Sequence, residues 1–320
     1  MNPMSSRSSA NDSQSNDSQV NDSQVVARGV AAPTRPFYWS VRRELWEYRS
    51  LYIAPLAVAA LFLFGFMIST IHLPEKMRAV AMLSPMQQQE LISEPYDFAA
   101  MLIMGVAFLV AIFYSLDALH GERRDRSILF WKSLPVSDFT AVLSKAGIPL
   151  VVLPLLAFTV TVALQWMMLL LSSLVLLGNG GSVATLWRNL PLIQMWSMML
   201  FHLIAVHSLY YAPIYGWLLL VSAWARRAPF LWASLPLIAI AVVERIAFNT
   251  WHFATLLQSR VVGGDSDAGN LTAPGSNMAH SPTLLDLGQF LASPGLWIGL
   301  IVAAAFLFAA VRLRRSQGPI

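Results

Sequence analysis

The segment "LDALHGERRDRSILFWKSLPVSDF", residues 116–139, lies between two of the most apolar stretches of the chain. It begins with charges of both signs, continues with the apolar run from Ile128 to Trp131, and then reaches Pro135, which favours a helix end. Ser137 or Asp138 is then in position to cap the next helix. The segment therefore predicts a short, charged helix between two long apolar ones.

The composition of the whole chain indicates a membrane protein. Of 320 residues, 56% are hydrophobic and only 12% are charged, whereas soluble domains carry charge on roughly a quarter of their residues. Cysteine is absent, which excludes disulfides, thiolate metal sites and a cysteine nucleophile.

Six apolar stretches are long enough to cross a bilayer, which takes about 20 residues for roughly 30 Å of hydrocarbon. The predicted fold is therefore all-α, a polytopic protein with six transmembrane helices. The predicted spans are residues 52–71, 98–116, 148–177, 192–224, 230–248 and 296–311.

Basic residues predict the orientation of these spans. With the amino terminus inside, sixteen of the twenty-one Lys and Arg residues fall in cytoplasmic segments, as the positive-inside rule expects. The outer segments then hold Lys76, Arg78, Arg188, Arg245 and Arg260. We therefore expect a multi-pass protein of the bacterial plasma membrane, with both termini in the cytoplasm.

The two ends of the chain lie outside the predicted membrane domain, residues 36–315. Residues 1–35 contain the polar repeat "NDSQSNDSQVNDSQV" and have little to bury, so a disordered cytoplasmic tail is predicted. Residues 316–320 are predicted to be a short cytoplasmic tail.

The stretch "FYWSVRRELWEYRSL", residues 37–51, predicts an amino-terminal helix in the membrane interface. Its charged side chains, Arg42, Arg43 and Glu47, fall on other faces than its largely aromatic one. We expect that aromatic face to lie in lipid; its residues are Phe37, Val41, Leu45, Tyr48 and Tyr52.

The sequence contains no recognisable catalytic or metal-binding constellation. It has no Gly-x-x-x-x-Gly-Lys phosphate loop and no His-Glu-x-x-His pair. His202 and His207 are five residues apart, which in an α-helix places them on different faces, so we interpret both as packed polar groups. A proton relay needs several deep carboxylates, and the spans lack such a series. We therefore predict a protein that is not itself an enzyme and that holds no metal.

The fourth predicted span is longer than a bilayer requires. Pro213, in "LYYAPIYGW", is the expected position of a bend. Pro213, Tyr211 and Tyr215 are candidates for a substrate path, although a proline kink can equally serve shape alone.

The charged segment after the second span is suited to docking on a soluble partner, because Arg and Trp are favoured interface anchors. The alternative is that its basic residues only fix topology and meet anionic lipid. Topology would not require Glu122, Asp125 or the apolar run, which favours docking.

At these residues the chain resembles the membrane permeases of ABC exporters of the second class. Their loop after the second span has a Glu with basic residues, a hydroxyl residue, an apolar run, Leu-Pro-Val-Ser and then a Lys. The chain has Arg126 where the family often has Gly, and Leu129 where an acidic residue is common. The matching positions are Glu122, Arg123, Ser127, Leu134, Pro135, Val136, Ser137 and Lys145.

The resemblance extends over roughly residues 37–315 through span count and topology, and it implies a function. The loop would be the coupling helix that contacts a separate soluble ATPase subunit, which binds ATP and Mg; this chain would hold no cofactor itself. A second permease subunit, in a homodimer, and the lipid bilayer would be the other partners, with no role for nucleic acid. The implied coupling-helix contacts are Glu122, Arg123, Arg126, Ser127 and Trp131.

The resemblance also implies a second ATPase-contact surface on the amino-terminal helix, at Arg42, Arg43 and Glu47. Plain lipid anchoring is the alternative there. For the whole protein the alternative function is a secondary transporter driven by an ion gradient; the missing carboxylates and the lack of an inverted repeat speak against it. The substrate is left open by the sequence.

Overall fold

The computed structural model describes residues 36–129, 136–261, 290–316 and 318. The predicted tail, Trp131, and the Leu-Pro pair at 134–135 lie outside these residues. Within these ranges, the residues from Ser40 onward form one compact unit, and residues 36–39 belong to a separate one. The described residues contain helices and no strand, which confirms the all-α prediction.

The helices are numbered here in chain order, with two π-helical segments named separately. They are α1 Pro36–Glu47, α2 Ser50–Ser69, α3 Leu73–Val80, α4 Pro85–Asp117, α5 His120–Arg124, α6 Asp138–Gly147, π1 Ile148–Val152, α7 Leu153–Gly178, α8 Ala184–Asn189, α9 Leu192–His202, π2 Leu203–Tyr210, α10 Ala212–Trp224, α11 Pro229–Phe248, α12 His252–Val261 and α13 Pro294–Ser316.

Six helical stretches are long and apolar enough to cross a membrane, as the sequence predicts. Several extend well beyond the predicted bounds, because polar turns continue the helix past the apolar core. The stretches are Ser50–Val80, Pro85–Arg124, Asp138–Gly178, Ala184–Tyr210, Pro229–Phe248 and Pro294–Ser316, and α10 is a shorter apolar helix.

The fourth predicted span, 192–224, is not one helix. It runs through α9 and π2, turns at Tyr211 and continues as α10. Pro213 lies in the first turn of α10, where its missing N–H removes no helical hydrogen bond. Pro149 lies in π1, which contacts π2, so both irregular segments meet inside the bundle.

The core is formed where α10 packs along α13 and where α2, α4 and α7 meet. Gly216 brings α10 against the α13 backbone: a Cβ there would be 3.2 Å from the carbonyl oxygen of Ala303. This approach joins the second half of the fourth span to the sixth.

The face of α1 that was predicted to lie in lipid packs against the helix bundle instead. Val41, Leu45 and Tyr48 are partly buried and pack against the core around Tyr114, so the prediction is wrong for these residues. The apolar spacing identified a buried stripe correctly, but the bundle covers it instead of lipid.

Candidate site: a buried charge cluster joining four helices

Glu44 is the residue of α1 that reaches deepest into the bundle. Its Oε1 accepts a hydrogen bond from Lys145 Nζ at 2.8 Å, and its Oε2 accepts one from the hydroxyl of Tyr114 at 2.8 Å. Glu44 and Lys145 are 2% and 1% exposed. A charge this deep is stable only when it is paired and hydrogen-bonded, and this pair ties α1 to α6.

Glu122, on α5, is the centre of the cluster because three cations surround its carboxylate. Lys145 Nζ lies 3.3 Å from Oε1, Arg43 Nη1 lies 3.4 Å from Oε1, and Arg314 Nη2 lies 3.2 Å from Oε2. The three cations come from α6, α1 and α13. One carboxylate therefore connects four helices that are far apart in sequence.

Arg314 extends the cluster to the start of α6. Its Nη1 also donates to Asp138 Oδ1, while its Nε is buried and has no hydrogen-bond partner among the described residues. Asp138 begins α6, and the preceding Ser137 is the N-cap, with its Oγ accepting from the Thr140 amide at 3.1 Å. We call the set Arg43, Glu44, Glu122, Asp138, Lys145 and Arg314 the charge cluster.

A second polar contact lies beside the cluster. The Tyr48 hydroxyl donates to Asp117 Oδ2 at 3.3 Å. Burial, together with the carboxylates of Asp117 and Glu44, raises the pKa of Tyr48, so its hydroxyl stays protonated and remains a donor. A Cβ on Gly121 would lie 3.3 Å from both the Asp117 carboxylate and the Tyr48 hydroxyl, so this contact depends on glycine.

Helix α5 is also bound to the end of α10. The amides of Leu119 and His120 donate to Ser222 Oγ at 3.0 and 2.9 Å. Arg123 Nη1 donates to the carbonyl oxygens of Ala223 and Ala225 at 2.6 and 3.3 Å. These bonds satisfy carbonyl groups at the carboxyl end of α10, which need such partners.

The residues expected to contact a soluble partner separate into two groups. Glu122 and Arg123 are 3% and 6% exposed, so in this conformation their side chains hold α5 in place, and their contact with a partner stays a prediction. Arg126 is exposed and Ser127 is partly exposed, with its Oγ donating to the Glu122 carbonyl at 3.4 Å. A partner-binding role for Arg126 and Ser127 stays a prediction, as does that of Trp131.

An exposed rim lies next to the buried residues of α5. It consists of Arg124, Asp125, Arg126 and Leu129. Arg126 has φ of 58°, the left-handed region that favours glycine. This backbone turns the chain away from α5 and presents the rim at the surface.

The second contact surface predicted on α1 is also divided. Arg43 joins the charge cluster and pairs with Glu47 Oε2 at 2.8 Å through Nη2. Arg42 lies elsewhere on α1, with its guanidinium 4.8 Å from the ring centroid of Trp46. The three predicted residues therefore do not form one continuous patch.

The proposed substrate-path residues lie at the break in the fourth span. Tyr211 and Tyr215 are buried beside Phe108, with ring centroids 4.9 and 6.5 Å from its ring. Pro213 is half-buried against α13 near Gly299. The structure thus brings the two tyrosines together in a packed aromatic cluster.

The two histidines of this span are closer than expected. Their ring centroids are 5.6 Å apart, so the prediction that they lie on different faces is wrong. The reason is π2: in a π-helix residues five apart follow one another along the same face. Within the described ranges, no group of three or more His, Asp or Glu residues could hold a metal ion.

Sequence reasoning missed Glu44, Tyr114 and Arg314 as members of the site. A signal was present, because Glu44 is spaced three and four residues from Val41 and Tyr48 and so shares their inward face. Arg314 likewise follows Ala310 and Val311, which are buried. A charge in register with an apolar stripe indicates a buried ion pair, but its partners cannot be read from one helix.

No protein-family model matches this chain, and no curated protein or solved structure matches it significantly. The cluster is therefore interpreted from its own geometry.

Proposed function

We propose that this chain is the membrane-spanning permease subunit of an ATP-driven exporter of the second ABC class. In this proposal a soluble ATPase subunit binds ATP and Mg, and a second copy of the permease completes the transporter in the plasma membrane. The transported substrate is unidentified.

The observation that carries the proposal is the position of Glu122. It lies at the end of the second membrane-crossing stretch, and its cations belong to α1, to the start of the third span and to the end of the sixth. Separating one partner of such a buried pair costs about 3–5 kcal/mol. Displacing α5 is therefore less costly when the attached helices move with it.

The exposed rim gives a partner a place to act. Arg124, Arg126 and Leu129 are surface residues, and the backbone between them and α5 is held by the Ser127 hydroxyl. A soluble protein bound at the rim could transmit its conformational change only through differential contacts in its two states. The charge cluster lies about one helical turn from the rim. Its ion pairs would transmit such a displacement to the spans.

The backbone at Arg126 agrees with the resemblance. Its φ of 58° is the conformation for which glycine is best suited, and it occurs where the resembling family often has Gly. Arg126 stands where the family often has glycine, but its backbone still adopts the left-handed conformation that favours glycine.

Partner binding can be tested with rim variants that leave the cluster intact. The chain is purified from its native host in detergent, and the co-purifying proteins are identified by mass spectrometry and assayed for ATP hydrolysis. We expect an ATPase subunit to be retained by the parent chain and lost from Arg124→Glu/Arg126→Glu. The matched control is Lys76→Glu/Arg78→Glu, whose residues are also exposed but lie on α3.

Size-exclusion profiles establish that each variant is folded. Equal retention of the ATPase by both double variants would remove the rim from the proposal. Substrate flux in proteoliposomes that follows an ion gradient and needs no nucleotide would favour a secondary transporter instead.

A further inference from the structure

A stripe of surface residues runs from α1 into α2. Its members, Arg42, Trp46, Arg49, Ile53 and Leu56, are separated by four, three, four and three residues, a spacing that repeats one side of a helix on either side of the short junction between Glu47 and Ser50. Arg42 is partly buried, and the other four are exposed. Trp46 is 68% exposed, and Ile53 and Leu56 are about half exposed. This face is opposite in character to the Val41, Leu45 and Tyr48 face, which packs on the core.

The chemistry of the stripe changes along its length. Before Ser50, where α2 begins, it carries two arginines and a tryptophan; after that residue it is apolar. Tryptophan is enriched at the headgroup level of bilayers, and arginines near span ends extend toward it. The change places the hydrocarbon boundary between Arg49 and Ile53.

The charge of the stripe is positive. It contains no carboxylate, and the two acidic residues of α1 are engaged on other faces: Glu44 with Lys145 at 2.8 Å and Glu47 with Arg43 at 2.8 Å. Arg42 lies over the Trp46 ring. In this arrangement the indole ring holds the guanidinium at its own depth relative to the bilayer surface. A diester phosphate at the membrane surface is complementary to this pattern.

We propose that this stripe binds the headgroups of anionic phospholipids and so anchors α1 to the leaflet beside the charge cluster. A soluble protein would also have to cover Ile53 and Leu56, which belong to a membrane span, whereas one lipid leaflet contacts the whole stripe. Because α1 carries Arg43 and Glu44, a lipid that holds this helix also holds one wall of the charge cluster. The inference does not depend on the ATPase partner.

The position of the stripe can be measured directly because the chain contains no cysteine. Single spin labels are attached to Trp46→Cys, Ile53→Cys and, as a water-exposed control, Met82→Cys, in nanodiscs of equal parts phosphatidylcholine and phosphatidylglycerol. We expect label 53 to be reached by oxygen only, label 46 to be partly shielded from a water-soluble nickel reagent, and label 82 to be fully accessible to it. A label at 46 as water-accessible as that at 82 would overturn the proposal.

Headgroup selectivity is tested on the intact protein by native mass spectrometry with phosphatidylglycerol and phosphatidylcholine as probes. Each Arg contributes about 1 kcal/mol at an anionic surface, so Arg42→Gln/Arg49→Gln should weaken phosphatidylglycerol binding roughly tenfold or more. Lys76→Gln/Arg78→Gln, with the same loss of charge on α3, should leave it unchanged. Equal losses in both variants, equal binding of both lipids, or shielding of label 46 only after an ATPase subunit is added would each contradict the proposal.

Discussion

The two ends of the bundle use their charged residues differently. In the charge cluster, each carboxylate meets cations from other helices, as Glu122 does with Lys145 and Arg314. At the other end of the bundle, near the last turn of α11, Glu244 accepts hydrogen bonds from the amides of His252 and Phe253 at 2.7 and 2.8 Å. The first arrangement joins distant segments, whereas the second closes a local turn.

The arginines at the two ends differ in the charge of their partners. Arg314 pairs with two carboxylates, while Arg260 lies 4.5 Å from the ring centroid of Tyr210 and donates to the carbonyl oxygen of Gly295. Arg245 Nη1 donates at 3.0 Å to the carbonyl of Asn249, the left-handed residue that follows α11. Removing a charge from the cluster should therefore leave another buried charge without its partner, whereas removing Arg260 or Arg245 leaves only uncharged partners behind.

The strongest test of this contrast is Lys145→Met. It leaves the buried carboxylates of Glu44 and Glu122 without their shared cation, so the free energy of unfolding should fall by about 3–5 kcal/mol. Chemical denaturation in detergent measures the change. The exposed Lys76→Met is the control, and equal, small effects of both changes would mean that the cluster contributes little to stability.

A smaller effect is expected at the Arg260 contact. In Gly299→Ala the new Cβ would lie 3.0 Å from Arg260 Nη1, so the guanidinium must shift by a few tenths of an ångström over the Tyr210 ring, and the stability lost should be at most about 1 kcal/mol. Thermal unfolding measures it. Gly105→Ala is the matched control, because a Cβ added there has no atom of another described segment within 4 Å; if the two variants unfold alike, Arg260 is not held as described.

Arg126→Gly should act in the opposite direction. Glycine relieves the cost of a left-handed backbone, offset in part by the larger freedom of the unfolded chain, so a gain of roughly 0.5–1 kcal/mol is expected. The same denaturation series measures it. A destabilised Arg126→Gly variant would indicate that the arginine side chain makes contacts that outweigh the backbone strain.

The smallest effect is expected for Glu244→Gln, because its partners in the described residues are the Thr250 hydroxyl and the first two amides of α12, all within nine residues along the chain. Hydrogen exchange should accelerate at His252 and Phe253 while the rest of the chain keeps its protection. Faster exchange in the charge cluster would show that the two ends are coupled and that the turn is not local.

Much of the fold could be predicted because a bilayer imposes a simple requirement. The predicted spans all overlap the observed apolar helices, and Ser137 caps the third span as its sequence indicates. The limits were less predictable: helices continue through polar turns beyond the hydrocarbon, as the residues before Phe98 in α4 do. Length beyond the bilayer is not encoded in hydropathy.

The candidate site was predicted only in part. Glu122 was recognised from its position in the charged segment and Lys145 only from the family resemblance, but Glu122 was expected at a surface and lies buried. The five-residue spacing of His202 and His207 was interpreted with α-helical geometry, which π2 replaces. In both cases the deciding contact comes from packing that one segment does not reveal.

Hydropathy and composition were sufficient for the number of spans and their all-α class, because burying an unpaired backbone in lipid is prohibitively unfavourable. Which charges are solvated and which are paired was settled by the assembly of the helices. Glu44, Glu122, Lys145 and Arg314 come together from positions up to 270 residues apart, and the low dielectric of the interior makes each stable only in the presence of the others.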